Sequence, residues 1–518
     1  MNYLDWSVVG LYLGIVALIG LYVSRGQKST RDYFLGSRSL PWWAATLSII
    51  ATETSAVTYI GTPAMAYQGN WSFLQLVFGF VLGRIFLGTF MVRVFYQREF
   101  VTVYGFLEAR YGNATRVTAS LLFLCGRVVA SAVRLFAGCI AIHIATGIQL
   151  ENVVVGLGVF GAAYTLIGGI RAVVWTDVLL GVTFIVGGAI TVFYLLAEIP
   201  GGLPAVLSSP SLTEKTAILN FGKSLPQGHT FWSQSNTFLA GLAGGFVLTL
   251  ATHGTDQDIA QRMLTCRDSR SGSLAVFGSA ILILPLMALF LVIGTLLYFF
   301  YEGRQPPQDL NQVFPIFIAN ELPHGFSGLV MAGLFAAAIS SYTSVLNALA
   351  STSVSDFYTP LRACLGRVPD DQHLLRVSRG VTLFWGALLV LLALAFQGSS
   401  DNVLKIALSV LTYFYGALLG AFLLGIFTRR GSSFSVITGM LVSVPAVLSL
   451  QLKQYLENPE AVPTGARILI EHIPENFSNA VLQHVPTVAW PYWIILGTAI
   501  TFGIGILGSR GPVVKDIS

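Results

Sequence analysis

Ser48-Ile49-Ile50-Ala51-Thr52-Glu53-Thr54-Ser55-Ala56-Val57-Thr58-Tyr59-Ile60-Gly61-Thr62-Pro63 is the stretch whose reading decides the fold. It lies within an apolar run, about 41–67, long enough to cross a hydrocarbon core of about 30 Å. A carboxylate and a dense series of Ser and Thr hydroxyls at that depth are costly unless they face a partner or a watery cavity. Gly61 and Pro63 follow closely, as in a span whose helix is interrupted. An interrupted helix offers carbonyls and hydroxyls that can strip the water from a cation. The plainer alternative is that the hydroxyls bond back to the preceding turn and help helices pack. For a lone Ser or Thr that alternative would win; the density here, with Glu53 in its midst, turns the balance.

The rest of the chain agrees. Of 518 residues, 54% are hydrophobic and 10% charged, against about 25% charged in a soluble protein; mean hydropathy is +0.72. This is the composition of an all-α polytopic membrane protein, since in lipid only helices or a closed barrel satisfy the backbone and the short alternating segments of a barrel are absent. Run length predicts about 13 transmembrane helices: 6–23, 41–67, 72–96, 117–146, 152–169, 173–196, 233–252, 273–300, 326–355, 378–397, 403–427, 433–450 and 490–508. With the N-terminus outside, the outer segments hold Lys215, Lys223, Arg304, Lys453 and Arg467, and the spans hold Arg84, Arg127, Arg134 and Lys405. The other Lys and Arg, of 29 in all, fall in inner loops, among them Arg25, Lys28, Arg98, Arg262, Arg510 and Lys515. That bias predicts a multi-pass inner (plasma) membrane protein with a cytoplasmic C-terminus. The net charge of +5 then reports topology, with the lipid bilayer rather than nucleic acid as the partner.

Several function classes drop out. Cys125 and Cys139 share a predicted helix about 21 Å apart, and Cys266 and Cys364 fall in inner loops where thiols stay reduced, so no disulfide framework is expected. Asp5 precedes the first apolar run and the positive charge follows it, the reverse of a signal peptide. The loops 197–232 and 451–489 are short for an independent core. Gly222-Lys223-Ser224 lacks the earlier glycine of a phosphate loop, Ala217 standing there. Gly156, Gly158 and Gly161 spell GxGxxG inside an apolar span, which reads as helix packing. With no HExxH and no GxSxG, an enzyme is not expected.

Two further segments carry candidate chemistry. Ala336-Ala337-Ala338-Ile339-Ser340-Ser341-Tyr342-Thr343-Ser344-Val345-Leu346-Asn347 pairs small residues with hard oxygen donors of the kind alkali cations prefer. Ser340 and Ser344 share a helix face and Ser341 is offset by about 100°, so one helix could serve two ion positions; small-residue packing alone is the alternative. Arg127 and Arg134, seven apart on one face, could hold a substrate carboxylate, or Arg127 could neutralise Glu53. Asp177 starts the sixth predicted span and reads as an acidic residue favouring a helix N-terminus.

Together, Asp32-Tyr33-Phe34-Leu35-Gly36, Gly168-Gly169-Ile170-Arg171-Ala172-Val173-Val174-Trp175-Thr176-Asp177-Val178, Gly254-Thr255-Asp256-Gln257 with Gln261-Arg262, the serine-rich ninth span and Phe422-Leu423-Leu424-Gly425-Ile426-Phe427 resemble the sodium/solute symporter family over about residues 5–450. The resemblance implies a leucine-transporter-like core of two inverted five-helix repeats, 41–196 and 233–427, within one transport domain, with 6–23 leading and 433–450 and 490–508 trailing. It implies sodium-coupled uptake of a small polar organic solute by alternating access. It also implies a first sodium held by the carbonyls of Ala51, Thr54 and Ala337 and the hydroxyls of Ser340 and Ser341. A second sodium would take Asp177, Ser340, Thr343 and Ser344. The positions that hold sugar in the hexose branch are here Val57, Thr58 and Leu408, with Thr252 at the inner gate. The sialic-acid branch matches better, at Ser55, Thr58 and Arg127, with Glu53 and Gln75 as further substrate-binding candidates. A carboxylate-bearing solute is therefore expected first, an amino-acid-like zwitterion second and a neutral sugar third. A channel on this fold would need a continuous pore, and a sensor would need a signalling domain where about ten residues follow the last span.

Overall fold

The structure, a computed structural model, describes residues 1–23, 30–97, 100–222, 230–302, 304, 307, 309–367, 370–396, 403–459, 462 and 470–508. Arg25, Lys28, Arg98, Lys223, Arg467, Arg510 and Lys515 lie outside them, as do the side chains of Arg31, Lys405 and Leu408. Every apolar run forms helix, as a chain surrounded by hydrocarbon must if its amides are to be paired. Among the described residues, ten helices are long and apolar enough to cross a membrane, and a bent pair makes an eleventh.

Three departures from the expected spans position the site. The second span breaks at Thr54-Ser55, between helices Trp42–Glu53 and Ala56–Gln68, and not at Gly61-Pro63. Pro63 sits inside the second half-helix, where its carbonyl faces Gly294 so closely that no Cβ would fit there. The rupture falls instead at Thr54-Ser55, where Thr58 Oγ1 donates to the Glu53 carbonyl at 3.3 Å. The seventh span does not end near 252. Helix Phe238–Gly254 turns by 65° into helix Gln257–Leu264, so Arg262, read as an inner-loop charge, is buried together with Asp256 and Asp258. The fifth and sixth spans meet without a loop in Leu150–Glu198, kinked at Gly169 with φ 53° and ψ −171°, a conformation only glycine adopts readily.

Helix Asn113–Thr146 and the serine-rich helix Phe326–Thr352 flank the first break. A Cβ built on Gly138 would lie 2.8 Å from the Ala338 Cβ and 3.2 Å from that of Ala56, so Gly138 lets three backbones converge beside Ser55. The segments carrying the family resemblance meet on the face of the loops read as inner, here called the arginine-bearing face. Leu40 N–H donates to the Thr265 carbonyl at 3.2 Å, Tyr33 to the Thr165 carbonyl at 2.8 Å and Arg171 to Gly36 O at 3.2 Å and Ser39 Oγ at 2.6 Å. The Phe34 carbonyl accepts from Gln261 Nε2. All four cysteines are free; Cys266, expected in a loop, is buried.

Candidate functional site

At the first break the backbone surrenders its regular bonding. The Ser55 N–H turns to the Glu53 carbonyl at 3.0 Å, and the Thr58 N–H to Ser55 O at 3.0 Å. A regular helix would have sent them to Ala51 O and Thr54 O. Two carbonyls, those of Ala51 and Thr54, are thereby released from the helical pattern. The Thr54 and Ser341 hydroxyl oxygens are buried with no hydrogen-bond partner among the described residues. Oxygen donors released in this way suit a hard monovalent cation. Ala337, one turn before Ser341, is buried on the same helix.

A cavity opens beside the break, lined by Glu53, Ser55, Thr58, Arg127, Arg134, Thr252 and His253, with an apolar wall including Phe73, Phe80, Leu248 and Met287. Four of the five substrate-binding candidates line it. Gln75 does not: its Nε2 donates to Ser72 O and Asn236 O, both at 3.1 Å, and its Oε1 accepts from Asn220 N at 3.0 Å. Gln75 fastens the loops on the opposite face.

The ionic partners differ from those expected. Glu53 pairs with Arg84, whose Nη1 also donates to Ser279 O at 2.8 Å. Arg127 pairs neither with Glu53 nor with open space: Nη1 lies 2.7 Å from Asp256 Oδ2 and Nη2 pairs with Asp258. Tyr415 completes Asp256 with a 2.7 Å bond. Arg134 differs from both. It lines the cavity, and among the described residues it has no carboxylate within ion-pair distance and its buried Nη1 has no partner. His253 Nε2 is likewise buried and unpartnered, 3.9 Å from Glu53 Oε2.

At the expected second cation position, the cation present is a side chain. Arg262 Nη2 lies 3.3 Å from Asp177 Oδ2 and bonds Ser344 Oγ, while Nε donates to Ser48 Oγ at 2.9 Å. Asp177 further accepts from Ser48 at 2.5 Å and from Ser340. Ser344 donates to Asp258 Oδ1 at 2.6 Å, and Thr343 donates to the Ser340 carbonyl at 3.1 Å. Asp177 is thus a buried hub well inside helix Leu150–Glu198, not a helix-start residue.

Sequence reasoning assigned no role to Arg84, Asp256, Asp258, Tyr415 or His253, and read Arg262 as a loop charge. A signal was available. Arg84, Arg127, Arg134 and Lys405 within spans, set against Glu53 and Asp177, leave two uncompensated positive charges in lipid. The carboxylates of Thr255-Asp256-Gln257-Asp258 could have supplied partners.

A family model described as "Sodium:solute symporter family" matches residues 33–443. A sodium/sialic acid symporter of Proteus mirabilis is 29% identical over 457 residues, covering 86% of this chain and 89% of that one. A sodium-coupled monocarboxylate transporter of Xenopus laevis is 28% identical over 448 residues, covering 84% of this chain and 70% of its own. Among solved structures, a substrate-bound, outward-open sodium-coupled sialic acid symporter superposes with a TM-score of 0.81. It is 24% identical, over 98% of this chain and 97% of that one; at that identity the likeness speaks for the fold alone.

Proposed function

Because this chain belongs to the sodium:solute symporter family, we propose that the solute it moves with sodium is a small organic carboxylate held by the Arg134 guanidinium. The chain is a multi-pass, sodium-dependent secondary transporter and not an enzyme. One observation carries the substrate class: Arg134 alone among the cavity's cations has a buried, unpartnered Nη1. Arg84 and Arg127 are already paired with carboxylates. A zwitterion is less well served, since Glu53 is committed to Arg84 and leaves no free carboxylate for an ammonium. Two of the relatives are named for sialic acid and for monocarboxylates, both of which are carboxylic acids. Arg134→Gln should weaken carboxylate binding about tenfold or more, the scale of hydrogen bonds to a charged group, while sodium binding without substrate persists. Uptake and binding across a panel of monocarboxylates, sugar acids, amino acids and hexoses would test this. Unchanged carboxylate affinity in Arg134→Gln would sink the proposal.

The first sodium is proposed at the carbonyls of Ala51, Thr54 and Ala337 with the Ser340 and Ser341 hydroxyls, supported by the released backbone and the unpartnered oxygens. The surrounding charges give a reason for coupling. Arg84, Arg127, Arg134 and Arg262 stand against Glu53, Asp177, Asp256 and Asp258, so the centre is neutral before loading. A carboxylate entering it is favoured by a sodium at the break, and by linkage each raises the affinity for the other. At Asp177, Ser340, Thr343 and Ser344 a second sodium would have to displace Arg262, so one sodium per solute is the favoured stoichiometry. Replacing both Ser340 and Ser341 by Ala should raise the half-maximal sodium concentration at least about tenfold, or about 1.4 kcal/mol, from a parent Hill coefficient near one. Flux titrations in proteoliposomes would show either result.

The arginine-bearing face is proposed to be cytoplasmic, with the N-terminus outside, on the strength of the basic bias. An impermeant thiol reagent applied to intact cells should label a cysteine placed at Arg304 but not one at Arg367; the reverse pattern inverts the topology. The repeat bounds 41–196 and 233–427 belong to the same reading, supported by a broken or bent helix near the start of each.

A further inference from the structure

Helix Phe326–Thr352 carries a polar track beyond the sites described above. Ser340, Ser344, Asn347 and Ser351 follow at i, i+4, i+7 and i+11 and share one face, and all are buried. The first two end on Asp177 and Asp258. One turn further on, Asn347 is 0% exposed, yet neither its Oδ1 nor its Nδ2 has a partner among the described residues. Thr352 Oγ1 is also buried and unpartnered. A carboxamide with both ends unsatisfied is costly inside a protein, and folds rarely keep one that has nothing to hold.

The track leads somewhere. The helix continues through a widened turn, Ser353–Tyr358, to fully buried Asp356. Asp356 accepts from Thr102 at 2.9 Å, Ser120 at 2.7 Å and Arg116 Nε at 2.9 Å. Thr102, Glu108, Arg116 and Ser355 line a cavity that also touches Arg38, on the arginine-bearing face. Arg116 is compensated there by Asp356 and by Glu108 at 2.5 Å, so it presents little barrier to a cation. Between Ser340 and Asp356 these residues follow at steps of three to five, a rise of about 4.5–7.5 Å along the helix axis each.

We propose that Asn347 is a transit station for sodium between the central site and this cavity, its Oδ1 taking the ion when Arg262 swings off Ser344 and passing it towards Thr352 and Asp356. Sodium leaves by this route independently of the carboxylate. The proposal rests on the orientation given above only for which side is the exit. A station on the release path governs how fast sodium leaves, not how tightly it binds from outside.

The test is flux in proteoliposomes of known sidedness, with Asn347→Leu, similar in volume but without oxygen, and Asn347→Asp. For Asn347→Leu the maximal sodium-driven uptake should fall about tenfold, with the external half-saturating concentrations of sodium and solute within twofold of the parent. For Asn347→Asp, whose carboxylate holds the ion longer, sodium inside the vesicles should inhibit uptake at about tenfold lower concentration. Should Asn347→Leu fail to fold, the aspartate variant decides alone. Parental turnover in Asn347→Leu, parental internal-sodium inhibition in Asn347→Asp, or a loss of external sodium affinity equal to the loss of rate would each overturn the proposal. Enhanced inhibition by sodium applied outside, not inside, would keep the station and overturn the orientation.

Discussion

Arg127→Met is expected to destabilise the folded transporter by about 3–5 kcal/mol, the cost of stranding a buried charge whose partner is removed. Arg127 bridges Asp256 and Asp258, and both carboxylates are fully buried. Its loss leaves Asp256, among the described residues, with the Tyr415 hydroxyl and its own backbone turn, whereas Asp258 keeps Arg262 at 3.0 Å. The damage therefore concentrates on Asp256. Adding Asp256→Asn to Arg127→Met should recover much of the stability, and adding Glu53→Gln should recover none, because Glu53 is Arg84's partner. Heating the purified variants in detergent and following the fraction that stays monodisperse measures the difference. Parental stability in Arg127→Met, or rescue by Glu53→Gln, would mean that the arginine is not the keystone of this network.

The Glu53–Arg84 pair should respond asymmetrically. Arg84 is fully buried, while 18% of the Glu53 side chain is exposed to the cavity. Glu53→Gln leaves a guanidinium with nowhere to go and should cost about 3–5 kcal/mol. Arg84→Met leaves a carboxylate that can be hydrated from the cavity, and should cost distinctly less. The double change, Glu53→Gln with Arg84→Met, should fold. It should also still transport a carboxylate, because Arg134 is untouched. A double variant that folds but has lost solute binding would give Glu53 a direct role in recognition and favour a zwitterionic substrate. Thermal stability and uptake on the same three preparations separate these outcomes.

The sequence by itself determined the environment. With 54% hydrophobic residues and apolar runs near 20 residues, lipid permits only helices, and the described parts of those runs are helical apart from the break at Thr54-Ser55. It also located the centre: hydroxyls and a carboxylate between Ser48 and Thr62 are too costly in hydrocarbon to be incidental, and the break falls among them at Thr54-Ser55. The family resemblance was legible because motifs such as Asp32–Gly36 and Gly168–Val178 are local strings. What composition and periodicity could not decide was pairing. Which arginine meets which carboxylate depends on how helices far apart in the chain are laid together. Arg84 and Glu53 are 31 residues apart, Arg127 and Asp256 are 129, and Arg262 and Asp177 are 85. The bend in Phe238–Leu264 was hidden for a related reason. Asp256, Asp258 and Arg262 look like loop residues until their charges cancel against partners on other helices. Only the tertiary structure, by joining those partners, turned them into buried core and left the Arg134 Nη1 in the cavity without a partner among the described residues.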